Sequence, residues 1–249
     1  MKFYLIFICC ILQVLVINSK VIPKRLPQLC RKSHPSYNDC MTKVLKKWGP
    51  YLLKGIREIN FPRMYPLEIP LFLVNRTISP SVSVSAAIRD FEAWGYEGLE
   101  LKTFNFEAES LTGDVSLYLP YLRISYDFDI SGRILTLPLD NSGHFKGNFT
   151  DLDLYFNFAL KPVERLGVTF YHFEDFRGRG TIGNGHIQLY GNGTDDQVIL
   201  DGMANFYNLN PGLVTNAVQP IYDESIGVFY RGLIQTVLDS VPAQELLPE

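Results

Sequence analysis

The sequence predicts an α+β protein in which a curved antiparallel sheet closes over a long C-terminal helix, with a shorter helix near the N-terminus. Three observations predict it. In the segment Gln219 to Val241 and just before it, Val218, Ile221, Tyr222, Ile226, Phe229, Tyr230, Leu233, Ile234 and Val237 recur at spacings of three and four, the helical period. From Ile78 to Tyr207 the apolar period is two, the mark of antiparallel strands with one buried face. Between Cys30 and Ile59 the period is again helical. The order is therefore helix, long meander, helix.

The last helix leaves only a narrow polar strip, Asp223, Glu224, Arg231, Gln235 and Asp239. A helix apolar over more than half its circumference is mostly buried. Pro220 suits its first turn, where a missing N–H costs nothing, and Pro242 marks its end. Gly227 and Gly232 leave room for another backbone or a ligand, and Gly232 is expected to mark a close approach.

In the first helical region, Ser36 followed by Asp39 resembles a capping box. Tyr37, Met41, Val44, Leu45 and Trp48 share a face opposite Lys43, Lys46 and Lys47. Pro50 kinks or restarts the helix, and Leu52, Leu53, Ile56 and Ile59 continue the apolar face. Three prolines make residues 61–73 an extended connector. In the meander, Val82, Val84, Ala86 and Ile88 alternate with polar or small residues, as do Ile124, Tyr126, Phe128 and Ile130, and then Leu152, Leu154, Phe156, Phe158 and Leu160. Turn signals stand at Trp94-Gly95, Ser131-Gly132, Asn141-Ser142-Gly143, Gly183-Asn184-Gly185 and Gly191-Asn192-Gly193.

Residues 1–20 read as a secretory signal: Lys2, an apolar run from Phe3 to Ile17 broken by Gln13, then Asn18 and Ser19 at a cleavage point. The run is shorter than the roughly 20 residues of a membrane-spanning helix, and nothing later is long and apolar enough to insert stably. Residues 21–249 then form one domain. Removing two lysines takes the formal charge from −3 to −5, which argues against nucleic acid as a partner. Cys30 and Cys40 remain and should pair in an oxidising compartment. The sequons at Asn75, Asn148 and Asn192 fit exposed loops of a secreted protein.

Catalytic signals are sparse. Gly178 to Gly183 matches G-x-G-x-x-G, but Asn184-Gly185 and a strand-like run follow where a dinucleotide site needs a helix, so a hairpin turn is expected. His34, His144, His172 and His186 stand apart from any metal-binding spacing. Glu174-Asp175 and Asp195-Asp196 read as solvated loop charges. Neither a metal nor a cofactor is called for, and an enzyme is not the expected reading. The 17 Phe, 14 Tyr and 2 Trp fit either an ordinary core or a lined cavity.

The order of motifs resembles the takeout and juvenile-hormone-binding protein family of insects. The stretches that carry the likeness are LCRKSHPSYNDC, GPYLLKGIREINFPRMYPLEIP, YLRISYDFDISGRILTLPLDNSG and VPAQELLP, spanning essentially the whole mature chain. NFYNLNPGLVTNAVQP departs from the family's Asn-rich stretch with a Trp and looks shorter. The resemblance implies a long helix wrapped by a strongly curved antiparallel sheet around a hydrophobic cavity. It also implies monomeric, extracellular carriage of a small hydrophobic ligand (a terpenoid, fatty acid, pigment or similar lipid) without catalysis. Candidate lining residues are Trp48, Tyr51, Leu52 and Ile56 from the first helical region. Tyr118, Phe128, Phe156 and Phe158 come from the strands, and Ile226, Phe229, Tyr230 and Leu233 from the last helix. Tyr51, Tyr118 or Tyr230 would orient a polar end of the ligand. A hydrolase of lipid esters and a signalling or structural partner with a filled core are the competing readings.

Overall fold

The computed structural model describes residues 20–191 and 194–249. Residues 1–19 of the expected signal segment 1–20, and Asn192 and Gly193 of the third sequon, lie outside them. Helix α1 (Tyr37–Lys54) is followed by a 3-10 turn at Arg57–Ile59. Six strands follow: β1 (Leu67–Ser79), β2 (Val82–Trp94), β3 (Glu100–Glu107), β4 (Thr112–Ile134), β5 (Leu137–Arg165) and β6 (Val168–Gly191). Helices α2 (Thr194–Leu209), α3 (Pro211–Leu238) and the short α4 (Ala243–Leu246) end the chain.

All strands belong to one antiparallel sheet of order β1-β2-β4-β5-β6, with β3 pairing the first half of β4. Strand length forces its shape. The 29 residues of β5 would span roughly 95 Å if straight, whereas the 28 residues of α3 span about 42 Å. A sheet that buries one face against so short a helix has to curl around it, and this one forms a half-barrel.

The curl is concentrated at a crease. On β4, Leu117 and Leu119 point inward, and so do Leu122 and Ile124, because Pro120 and Tyr121 both point out. Thr150 and Asp151 do the same on β5, and Gly183 and Asn184 on β6, in one continuous register. Asp151 takes a left-handed φ of 56° there. A side chain at Gly183 would place its Cβ 2.7 Å from that of Asp151. The expected turns at Gly183-Asn184-Gly185, Ser131-Gly132 and Asn141-Ser142-Gly143 are therefore not turns. Their glycines lie within long strands, at bends and close contacts that a Cβ would block. The hairpin expected at Gly178–Gly183 is likewise unbroken β6.

The last helix is longer than its apolar period indicates, beginning at Pro211, so Pro220 lies inside it. Helix α2 falls where the period of two was expected to run on to Tyr207. Its inward residues are Leu200, Met203, Ala204 and Tyr207, at spacings of three, one and three. Pro50 does not break α1, and Ser36 precedes α1 without a side-chain cap hydrogen bond. Cys30 and Cys40 are disulfide-bonded, with Cα atoms 6.2 Å apart. In the chain-entropy model a loop of this size contributes roughly 3 kcal/mol.

Strand β6 is an edge of the sheet, and the helices supply what a neighbouring strand would. Gly180 donates its N–H to Asp223 (2.9 Å) and accepts from Gln219 (2.7 Å). Phe173 donates to Gln235 (3.0 Å) and accepts from Arg231 (3.0 Å). Asn208 of α2 does both for Ile187, at 2.8 and 2.9 Å. Gln197 accepts from Gly191 and donates to Leu189, each at 2.9 Å. Between these caps the backbones touch: a Cβ on Gly178 would sit 3.0 Å from the amide nitrogen of Gly227. Gly232, expected to mark a close approach, instead faces open space: a Cβ there would meet nothing within 4 Å.

Two outcomes follow for stability. Gly178→Val should lower stability by about 1–3 kcal/mol through overpacking, whereas Gly232→Ala should raise it by roughly 0.5–1 kcal/mol, as expected for an open helical glycine. Opposite shifts in melting temperature check the pair. Asn208→Leu, which strands both polar groups of Ile187, should cost on the order of 2 kcal/mol in urea unfolding. An unchanged midpoint would show that the edge needs no cap there.

Candidate functional site

Apolar side chains fill the half-barrel unevenly. Around the C-terminal half of α3 they form a solid core. Phe156 (4% exposed), Ile226 (9%) and Tyr230 (8%) are buried there, with the Phe156 and Tyr230 rings 4.8 Å apart and those of Phe173 and Phe176 4.7 Å apart. Phe158, Phe229 and Leu233 pack against this core partly buried. Tyr230 donates to the Tyr96 hydroxyl at 3.3 Å, and burial holds both phenols above their ordinary pKa. The Tyr230 hydroxyl is thus already engaged within the core.

Trp48 and Ile56 are buried in a separate cluster with Leu26, Ile59 and Val241, against which Tyr51 and Leu52 pack. The Trp48 indole N–H donates to the carbonyl of Pro27 at 2.9 Å. These four residues of the first helical region thus pack with the N-terminal arm and Val241 rather than with the core around Phe156 and Tyr230. Tyr118 is a correction. It sits between the inward Leu117 and Leu119, so the pleat turns it outward. There it donates to Asp151 at 2.7 Å, and Lys102 lies 4.7 Å from its ring centre.

The wall beside the N-terminal half of α3 is different. On β2, β4 and β5 the inward rings of Phe91, Tyr126 and Phe145 form one stack. Tyr126 lies 4.5 Å from Phe145 at 7° and 5.9 Å from Phe91 at 20°. Phe128, which is buried, meets Tyr126 edge-on at 6.5 Å. Desolvation pushes the Tyr126 hydroxyl well above its ordinary pKa, so the ring lies deep. Yet Phe91, Tyr126 and Phe145 each keep part of their surface accessible. Rings that are deep and still accessible are not closed over as the rings of the core are. Every closed-off polar side-chain atom among the described residues has a hydrogen-bond partner. The Tyr126 hydroxyl, pushed up by burial, has no such partner among the described residues and therefore keeps some exposure. Tyr222 on α3 shows the same combination: partial accessibility, a strong upward shift led by desolvation, and no hydrogen bond. Neither residue stood out in the sequence. Tyr126 was legible as inward-facing, but its lack of a partner is a property of the packed chain.

Two open grooves lie elsewhere and are polar. One, of about 500 Å³, runs past Ser85, Asp129, Ser131, Asp140, Ser142 and Asp196. The other, of about 440 Å³, is lined largely by Asn38, Asn105, Glu107, Asp114, Asn157 and Asp175. Neither suits an apolar ligand. Glu174 and Asp175 are exposed near the β5–β6 register shift, and Asp175 pairs with Arg177 at 3.0 Å.

One histidine is not isolated. His144 places Nε2 at 2.9 Å from Ser125 Oγ and Nδ1 at 2.7 Å from Asp127 Oδ1, the atom order of a hydrolytic triad. The three residues stand on the outer face of β4 and β5, where interstrand pairing engages the neighbouring backbone that would otherwise supply an oxyanion hole. His34 accepts from the Ser36 N–H, His172 meets the carbonyl of Phe173, and His186 approaches Asn208 at 3.4 Å. Among the described residues no three His, Cys, Asp or Glu are grouped to hold a metal, and no helix is long and apolar enough to cross a membrane.

Comparison with known proteins agrees with this architecture. Takeout 1 of Epiphyas postvittana superposes with a TM-score of 0.69 at 17% identity, covering 90% of this chain and all of that one. At that identity the likeness concerns the fold alone. The circadian clock-controlled protein daywake is 21% identical in Drosophila melanogaster and 20% in Drosophila yakuba, over 83% of this chain and 82% of each relative. The family description "Haemolymph juvenile hormone binding protein" matches residues 5–248. The chain belongs to the haemolymph juvenile hormone binding protein family.

Proposed function

We propose that the protein is a secreted carrier that holds a small lipophilic molecule in the hollow between the aromatic wall of β2, β4 and β5 and the N-terminal half of α3. The observation that carries this reading is the Phe91–Tyr126–Phe145 stack, deep in the molecule and still accessible. Apolar surface withdrawn from water contributes about 25 cal/mol per Å², so a ligand covering a few hundred Å² gains several kcal/mol before entropic losses. The mechanism is passive shielding. The Cys30–Cys40 disulfide, the N-terminal signal and the family's haemolymph description support secretion. The Asn75 and Asn148 sequons lie on exposed positions of β1 and β5, where glycans would find room.

The Ser125–His144–Asp127 order favours a second reading, hydrolysis of esters at the outer face. Native mass spectrometry of the secreted protein, before and after organic extraction, separates the two: the carrier yields a co-purifying lipid. Incubation with a lipid ester should return the ester intact, with the same result for Ser125→Ala.

The hollow itself is checked at Ile124, an inward residue between Leu122 and Tyr126. Ile124→Trp should displace ligand at little cost in melting temperature. In a filled core the same change would cost about 1–3 kcal/mol. A large thermal loss with unchanged ligand would overturn the carrier reading.

A further inference from the structure

The net charge of the chain conceals a division within it. Residues 20–66 hold 11 of the 23 lysines and arginines but only two of the 26 acidic residues, Asp39 and Glu58. The N-terminal arm, α1 and the turn after it are therefore strongly cationic, while the sheet and the later helices are strongly anionic. The cationic segment is also held together by the fold. Leu26 of the arm, Trp48 of α1 and Ile59 of the turn are buried in one cluster, and the Cys30–Cys40 disulfide ties the arm to the helix.

The cations of α1 form a line. Lys43, Lys47 and Lys54 fall within about 40° of one another around the helix and span roughly 16 Å along it. Lys46 stands beside them, and all four are exposed, on the side away from the buried Met41 and Trp48. Arg63, also exposed, prolongs the line. The chain returns beside the end of α1, where the Met64 N–H donates to the carbonyl of Leu53 at 3.2 Å. A Cβ on Gly55 would lie 2.9 Å from the Arg63 amide nitrogen. The nearby acids do not neutralise the line. Glu58 is taken by Arg25. Asp39 lies in the first turn of α1, where Asn38 borders Glu107, Asp114 and Asp175, so the cationic stretch begins after it. Among the described residues none of these four lysines, nor Arg63, forms an ion pair. Lys43 stands three and four residues from Lys46 and Lys47, spacings at which like charges destabilise a helix. The line therefore brings the fold no benefit of its own.

A row of unpaired cations complements a polyanion, and two further observations select which one. A helix that docks on a membrane sets Trp, Phe or Leu among its cations to enter the lipid, and α1 carries no exposed large hydrophobic side chain. The secretion proposed above would put the chain outside the cell, away from the anionic lipids of the cytoplasmic leaflet. We infer that the face of α1 from Lys43 to Lys54, prolonged by Arg63, docks on a sulfated polysaccharide of the extracellular surface. The inference rests on the proposed secretion and not on the lipid cargo. The overall negative charge does not oppose it. At physiological ionic strength exposed charges more than about 8 Å apart are largely screened from each other, so a docked polyanion feels the lysines rather than the distant sheet.

The test passes the full secreted chain over immobilised heparin and over chemically desulfated heparin, with elution by sodium chloride. The unsubstituted protein should be retained on heparin at physiological salt and should pass through the desulfated resin. Counterion release makes log affinity fall linearly with log salt. Lys43→Gln/Lys47→Gln/Lys54→Gln should therefore elute earlier and lower that slope by about one per lysine. Gln has a helix propensity close to that of Lys, so the melting temperature of this variant should not fall. Arg133→Gln/Lys161→Gln removes two exposed cations of the sheet and should leave retention and slope as they were. Passage through heparin at physiological salt, retention that survives the triple change, or an equal loss in the Arg133/Lys161 variant would overturn the inference. So would binding to vesicles of phosphatidylcholine and phosphatidylserine without retention on heparin. None of these outcomes bears on lipid carriage, and recovery of the chain from culture medium scores secretion separately.

Discussion

An edge strand carries a row of N–H and C=O groups that must be met by water, by another strand or by side chains. In this protein β6 is such an edge, and its outward groups are met by side chains from two helices: Gln197 and Asn208 of α2, then Gln219, Asp223, Arg231 and Gln235 of α3. Each site is served as a second strand would serve it, with one acceptor for the N–H and one donor for the C=O. The polar strip that interrupts the apolar arc of α3 is therefore the surface that docks the helix. With the strip fixed on the edge strand, the apolar arc has only the interior to face.

The docking also sets how tightly the interior is filled. Next to Gly178 and Gly227 the helix and strand backbones approach so closely that little space remains, and the Phe156, Phe173, Phe176 and Tyr230 rings occupy it. Every buried residue of α3 lies from Ile226 onward. Before Ile226 the same helix has no fully buried residue, and α2 enters as a second cover through Leu200, Met203, Ala204 and Tyr207. On the far rim Arg76 of β1 forks onto Glu224 of α3. Both side chains are about half exposed, so the pair orients the rim while adding little stability.

The alternation of Ile124, Tyr126, Phe128 and Ile130, and the three- and four-residue spacing from Ile221 to Val237, made the sheet and the long helix legible, because both are read from one buried face. The disulfide was legible from Cys30 and Cys40, the two cysteines outside the expected signal segment. The glycines misled. Gly132, Gly143 and Gly183 look like turn residues, but in strands of 23 to 29 residues the positions that need glycine are bends and close backbone contacts. Helix α2 was hidden because its neighbours alternate up to the end of β6 and its own apolar face is narrow. For the site, Phe128 is buried beside the Tyr126 ring. Phe156, Ile226 and Tyr230 belong to the solid core, Trp48 and Ile56 to the cluster with Leu26 and Val241, and Tyr118 to the outer face. Periodicity tells which way a residue points. It does not tell whether the space in that direction is filled.

Polar groups acquire chemistry from their surroundings, and two constellations in this molecule show the contrast. Ser125, His144 and Asp127 are bonded in the order of a catalytic triad, but on the outer face of the sheet, where water competes for each partner and screens each charge. Their hydrogen bonds are satisfied, and nothing in their arrangement calls for a further group. Tyr126 and Tyr222 carry no triad-like order, yet they hold their hydroxyls in a desolvated space with no partner among the described residues. The interior pair is therefore the one set apart by its surroundings, although the exterior one more closely resembles a known motif.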